Sequence, residues 1–143
     1  MKFLVLNGPN LNLLGKREPE IYGKTTYAEL LAAIEAHAAE IGVSVEFFQS
    51  NHEGDLVDKI QEADGVFDGI VLNAGGYTHT SVAIADAIRA IPVPTVEVHI
   101  SDVDNREDFR KVNFIRSACV ATVSGKGVFS YLEALDILAK HFN

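Results

Sequence analysis

Five short apolar runs, rich in β-branched and aromatic residues, punctuate the chain at Lys2 to Leu6, Val43 to Phe48, Gly69 to Leu72, Thr95 to Ile100 and Cys119 to Val123. Each is near-continuous in hydrophobicity rather than alternating, the pattern of strands buried on both faces. Helical periods separate or follow them: Tyr27 to Ile41 with apolar Leu30, Leu31 and Ile34, then Leu56 to Ala63, Val82 to Ile91, and Val128 to Phe142. Gly42 and Pro92 stop the first and third of these helices, and Thr25 or Thr26 and Thr80 or Ser81 are their candidate N-caps.

Strands alternating with helices predict an α/β fold, a flavodoxin-like doubly wound five-stranded parallel sheet in the order 2-1-3-4-5. With 143 residues, 48% of them hydrophobic, the chain is expected to form a single domain over 1–143 without help from disulfides. The sequence contains no internal repeat and no low-complexity tract. Its one cysteine, Cys119, lies in an apolar run and reads as a small buried hydrophobe in a reducing compartment. The apolar run Phe3 to Leu6 is too short for a signal-peptide core, and no run approaches the ~20 residues of a membrane span. A soluble, cytoplasmic protein is expected. The net charge of −8 argues against a nucleic-acid surface, which needs a basic patch.

Right-handed crossovers place the ligand-binding loops of such a sheet at the carboxyl ends of its strands. Polar residues gather there: Asn7 and Asn10 after the first strand, Gln49, Ser50, Asn51 and His52 after the second, Asn73 after the third, His99 and Ser101 at the fourth. In the order 2-1-3-4-5, Asn10, Asn73 and His99 flank the topological switch point. Glu97 and His99 share one strand face, with Val96 and Val98 on the other. The pair is either structural or a proton donor whose charged form the carboxylate favours.

The segment Asn7 to Gly23, NGPNLNLLGKREPEIYG, is long for a loop in a compact chain yet keeps Leu11, Leu13, Leu14 and Ile21, so it reads as catalytic rather than disordered. It holds Asn10, Asn12, Arg17, Glu18 and Tyr22. A free phenol is ionised only about one part in a thousand at pH 7, so a phenolate base needs a positive neighbour. Arg17, folded against Tyr22, supplies one. The stretch Asn73 to Ser81, NAGGYTHTS, is a glycine-containing turn into a helix start, where backbone N–H groups favour anions; His79 there is either a ligand contact or a cap. Arg106 and Arg110 share a face if Arg106 to Val112 is helical. Either reads as a solvated residue on its own, but their clustering just after the candidate site leads to the expectation that one of them binds a substrate carboxylate or hydroxyl. His52 reads as a cap or solvated residue, His37 and His141 as ordinary helix residues.

Other chemistries fit poorly. Gly8 and Gly15 are separated by six residues, not the four of a P-loop, and Arg17 stands where Ser or Thr would ligate magnesium. There is no G-x-G-x-x-G, no metal-ligand spacing, no aspartate cluster of a phospho-receiver and no lysine in an apolar setting for a Schiff base. Proton chemistry with no cofactor and no metal remains, with Tyr22 as base and His99 as the acid that protonates a leaving hydroxide.

These residues resemble a known family. NGPNLNLLGKREPEIYG at 7–23, QSNHEGDLVDKI at 49–60, NAGGYTHTS at 73–81, VEVHISD at 96–102 and REDFR at 106–110 are similar, nearly end to end, to type II 3-dehydroquinate dehydratases of the shikimate pathway. The resemblance implies a hydro-lyase that converts 3-dehydroquinate to 3-dehydroshikimate through an enolate. It implies that Tyr22 removes the proton alpha to the ketone, that Arg17 favours the phenolate, that His99 with its partner Glu97 protonates the leaving hydroxyl, and that Asn10 holds a water against the enolate oxygen. Asn73, His79 and Arg110 match ring-hydroxyl contacts, and the backbone of Ile100 and Ser101 matches a carboxylate cradle. Asp86 matches a residue that reaches into an adjacent subunit's site, in dodecamers built from trimers. Ala74, Gly76 and Ser130 depart from the usual Pro, Ala and Gly, and the first two are expected to loosen the turn carrying Tyr77 and His79. A loop that carries a base over substrate must move, so 16–23 is expected to be the most mobile segment without ligand. The rival reading is a non-enzymatic flavodoxin-like domain that binds a small anion at the switch point.

Overall fold

The five apolar runs form one parallel sheet in the order 2-1-3-4-5, made of β1 (Lys2–Asn7), β2 (Ser44–Gln49), β3 (Gly69–Asn73), β4 (Thr95–Val98) and β5 (Ala121–Val123). The computed structural model describes residues 1–142. Five helices accompany the sheet: α1 (Pro19–Tyr22), α2 (Tyr27–Ile41), α3 (Glu53–Glu62), α4 (Val82–Ala90) and α5 (Val128–His141). Between β4 and β5 there is no helix but three short 3-10 turns, at Val103–Asn105, Asp108–Lys111 and Arg116–Ala118. Arg106 therefore lies outside any helical turn, and the expected shared face with Arg110 does not form.

Alternate strand residues serve two cores. Phe3, Val5, Val71, Val96 and Val98 pack against Leu30, Ile34, Leu135 and Leu138 from α2 and α5. On the opposite face Leu4, Leu6, Ile70 and Leu72 meet Leu56, Ile60, Ile84 and Ile88 from α3 and α4. Burial on both faces explains the near-continuous hydrophobicity of β1 and β3, while β4 buries Thr95 and Glu97 beside its valines; each fully buried Leu or Ile contributes roughly 1.5–3 kcal/mol. The same expectation fails for β2, where Ser44 and Glu46 are exposed. That strand is an edge, paired only with β1. β5 is also shorter than expected, and Cys119 falls before it, half-buried in a turn, where burial pushes its thiol up to about 12.

Helix ends follow local chemistry. Thr26 Oγ1 accepts from the Glu29 N–H at 3.1 Å while the Glu29 carboxylate accepts from the Thr26 N–H at 3.2 Å, a reciprocal cap, and Gly42 closes α2 at φ 78°. Ser81 Oγ caps α4 by accepting from the Ile84 N–H at 3.0 Å. α3 starts three residues earlier than its apolar period, at Glu53, with Glu53 and Asp55 in its first turn where the helix dipole favours acids. His52 precedes it without a side-chain cap bond. His37, expected to be an ordinary helix residue, ties α2 to α5 through Asp136 at 2.7 Å.

The register aligns the polar strand ends. Asn7 lies opposite Gln49 on one side and Asn73 on the other. The chain leaving β1 then passes close to the chain leaving β3: the Gly8 N–H donates to the Asn73 carbonyl at 2.7 Å, and a Cβ on Gly8 would lie 2.4 Å from the Ala74 oxygen. Backbone cannot yield there as a side chain would. Gly8→Ala is accordingly expected to destabilise the fold by roughly 1–3 kcal/mol, read as a lower urea midpoint with unchanged slope; an unchanged midpoint would show that the two segments are free to separate.

Candidate active site

At the carboxyl edge of the sheet a pocket opens between the loop after β1 and the segments after β3 and β4. Asn10, Arg17, Tyr22, Asn73, His99 and Arg110 line it, with Ile100 and Ser101 where the chain bends after β4. Residues from four separate stretches of sequence thus meet at the switch point, as the topology requires.

Tyr22 ends α1, a single turn that begins at Pro19 and closes on Gly23. Its phenol oxygen takes two guanidinium donors, Arg106 Nη1 at 2.7 Å and Arg17 Nη2 at 3.2 Å. Both guanidinium groups also approach the ring, at 4.3 Å for Arg17 and 5.2 Å for Arg106 from its centroid. Arg106 reaches Ser101 Oγ as well, at 3.4 Å. Sequence reasoning set Arg106 beside Arg110 as one of two candidates for a substrate group and did not connect it to Tyr22. No periodic signal links residues 84 positions apart.

His99 and Glu97 point to one face of the sheet, as their spacing implies. His99 Nε2 lies 2.6 Å from Glu97 Oε2 in a buried pair. A carboxylate only accepts, so Nε2 carries the proton of this bond and Nδ1 is the nitrogen left to serve a ligand. Three further donors surround Glu97: Asn113 Nδ2 at 2.6 Å, Thr122 Oγ1 at 2.8 Å and Arg116 Nε at 3.4 Å. Burial alone would raise the Glu97 carboxyl, but the hydrogen bond and charge of His99, with the Asn113 and Thr122 donors, outweigh it and hold the group at about 2.

The low value has a consequence for acid stability. A glutamate depressed from about 4.5 to about 2 stabilises the fold fully above the unfolded value and loses that contribution as pH falls through the folded one. The contribution is about 3 kcal/mol. The stability gap between the wild type and Glu97→Gln, measured by urea melts, is expected to close by about that amount from neutral pH to pH 2; a constant gap would contradict the assignment.

Asn73 forms part of the pocket floor. Its Nδ2 donates to Tyr131 Oη at 2.9 Å, its Oδ1 accepts from the Gly75 N–H at 3.1 Å, and the Tyr131 hydroxyl donates to Asn7 Oδ1 at 2.7 Å. Each end of the Asn73 amide keeps a second hydrogen-bonding position for a ligand. The turn beyond it is held by Gly75, by the Tyr77 N–H to the Ala74 carbonyl and by the Tyr77 hydroxyl to the Asn51 carbonyl at 2.9 Å. Ala74 is fully buried, whereas Gly76 is exposed with open space where a Cβ would stand. Ser130, the third departure, accepts from the Lys126 N–H through Oγ at 3.1 Å.

Two expected contacts do not line the pocket. His79 ends the 3-10 turn Gly75–His79, two positions before the first residue of α4's cap pair, and its Nδ1 donates to the Val112 carbonyl at 2.7 Å. Burial lowers its imidazole below the ordinary value, the Val112 bond opposes this and nearby Arg110 adds to it. Asp86 sits on the exposed side of α4, 3.9 Å from Arg89. Arg110, by contrast, faces the pocket and pairs with Glu107, whose carboxyl it lowers.

Residues 1–139 match the family model described as dehydroquinase class II. The chain belongs to that family. The 3-dehydroquinate dehydratase of Caldicellulosiruptor saccharolyticus is 55% identical over 138 residues, 96% of this chain and 95% of that one. The catabolic 3-dehydroquinase of Verticillium alfalfae is 49% identical over 140 residues, 98% and 93% of the two chains. The type II dehydroquinase structure from Butyrivibrio crossotus shares the fold with a TM-score of 0.95 at 46% identity and 97% coverage of each chain. For a class II dehydroquinase the geometry sorts itself: one phenol under two guanidinium groups, and one imidazole on a buried carboxylate, both facing the same pocket. No helix among the described residues is long and apolar enough to cross a membrane.

Proposed function

We infer that this chain, acting as one catalytic domain over residues 1–143, eliminates water from 3-dehydroquinate to give 3-dehydroshikimate. The observation that carries the reading is the Tyr22 phenol held by Arg17 and Arg106 in the same pocket as the His99–Glu97 pair. Two cationic donors favour negative charge on the phenol oxygen, so Tyr22 acts as base toward the proton alpha to the ketone. The electron pair moves into the carbonyl, and the enolate oxygen takes a water held by Asn10. Collapse of the enolate expels the hydroxyl, which leaves as water with a proton from His99 Nδ1. Tyr22 then gives up its proton and His99 regains one. Arg110 and Asn73 bind ring hydroxyls from the pocket wall, His79, beside Arg110 and held by Val112 through Nδ1, offers its Nε2 to the same hydroxyls, and the backbone of Ile100 and Ser101 holds the substrate carboxylate. Neither metal nor cofactor enters any step.

No lysine takes part, which sets this route apart from an imine mechanism to the same product. Borohydride added with 3-dehydroquinate is expected to leave activity intact and no added mass on the chain; lasting inactivation with an adduct would overturn the enolate route.

The working form is a cytoplasmic dodecamer built from trimers, in which Asp86 reaches the pocket of a neighbouring chain. Its exposed position on α4 and the exposed Val82, Phe109, Val112 and Phe114 support this. Light scattering is expected to give twelve times the chain mass, and a monomer mass would refute it. Segment 16–23 acts as the moving part of the site, expected to show the fastest amide exchange without ligand and protection with it.

A further inference from the structure

The stretch Gln49, Ser50 and Asn51 at the end of β2 has no part in the chemistry above, yet it touches the catalytic loop. We infer that Asn51 is a positioning residue for Asn10, holding its backbone in the conformation that aims its side chain at the developing oxyanion. The inference rests on the role given to Asn10.

Asn10 has φ 70° and ψ −6°, the left-handed region that residues other than glycine rarely occupy. It opens the 3-10 turn Leu11–Leu13, with its carbonyl accepting from the Leu13 N–H at 3.0 Å, while its side chain takes no part in capping that turn. The side chain is thereby left for the pocket, whose wall includes Asn10. What anchors the backbone is the Asn10 N–H, which donates to Asn51 Oδ1 at 3.0 Å.

Asn51 is itself fixed from two directions. Gln49 Nε2 donates to the same Oδ1 at 3.2 Å and also reaches the Gly8 carbonyl at 3.1 Å, and the Tyr77 hydroxyl donates to the Asn51 carbonyl at 2.9 Å. One residue so links the loop after β1, the end of β2 and the turn after β3. A strained backbone held by long-range contacts at a reactive pocket is where position matters most. A displacement of about 1 Å can cost on the order of a hundredfold in rate.

The test is a double-mutant cycle on turnover. Asn51→Leu, which keeps bulk and removes the acceptor, is expected to lower kcat by roughly tenfold or more with little change in KM. Asn51→Asp, which keeps an acceptor oxygen, restores most of it. In an Asn10→Ala background, Asn51→Leu should have almost no further effect, because the group it positions is gone. Asn51→Ala is run in the same cycle, with melting temperatures, so that a folding defect in one variant leaves the other to decide. An equal loss in both backgrounds means a purely structural role and overturns the inference. If Asn10→Ala lowers kcat and Asn51→Leu does not, only the inference falls. If Asn10→Ala leaves kcat unchanged, the role of Asn10 falls first and takes the inference with it.

Discussion

Tyr22→Phe is expected to lower kcat on 3-dehydroquinate by roughly 10²- to 10⁴-fold, the usual worth of a positioned acid or base. Only the hydroxyl is deleted. The ring keeps its packing against the core under α2 and α5 and its contacts with both guanidinium groups, so fold and substrate affinity should stay close to wild type. A loss confined to kcat would place Tyr22 in the transition state rather than in ground-state binding. Retained turnover would remove it as the base. A loss of affinity equal to the loss of rate would instead make it a binding residue.

The second large effect concerns Arg106. Its bond to the phenol oxygen, at 2.7 Å, is shorter than that of Arg17, at 3.2 Å, and Arg17 is partly engaged with Glu18 at 3.5 Å. A hydrogen bond to a charged group is worth about 1.5–3 kcal/mol, which is roughly a ten- to hundredfold change in rate. Arg106→Gln should therefore reduce kcat at least as much as Arg17→Gln, and the two together should reduce it by less than the product, since both act on one oxygen. Steady-state kinetics of the three variants checks this. A harmless Arg106→Gln beside a damaging Arg17→Gln would restore the simpler picture in which Arg17 alone serves the base.

Much of this arrangement is legible in the chain because local rules and topology agree. Near-continuous apolar runs marked five strands, and the order 2-1-3-4-5 then brought Asn10, Asn73 and His99 to one edge before any distance was known. Glu97 and His99 were legible as a pair because a strand repeats every two residues. The edge position of β2 was not, since an apolar run does not say how many neighbours its strand has. Nor were the groups that gather around Glu97. Asn113, Arg116 and Thr122 come from irregular backbone and from β5, and turns without periodicity leave no mark of where their side chains point. Arg106 and Asn51 stood out as polar candidates, but their partners, Tyr22 and Asn10, did not: each acts on a residue far along the chain, across loops whose course only the folded structure defines.

The central claim is that the Tyr22 phenol and the His99–Glu97 pair together remove water from 3-dehydroquinate. The most direct measurement follows the ultraviolet absorbance of the conjugated enone after substrate is mixed with the purified protein. The account predicts a steady rise with wild type that Tyr22→Phe abolishes. Binding heat from 3-dehydroquinate in calorimetry with no rise in absorbance would contradict it, and would leave a domain that holds the substrate without transforming it.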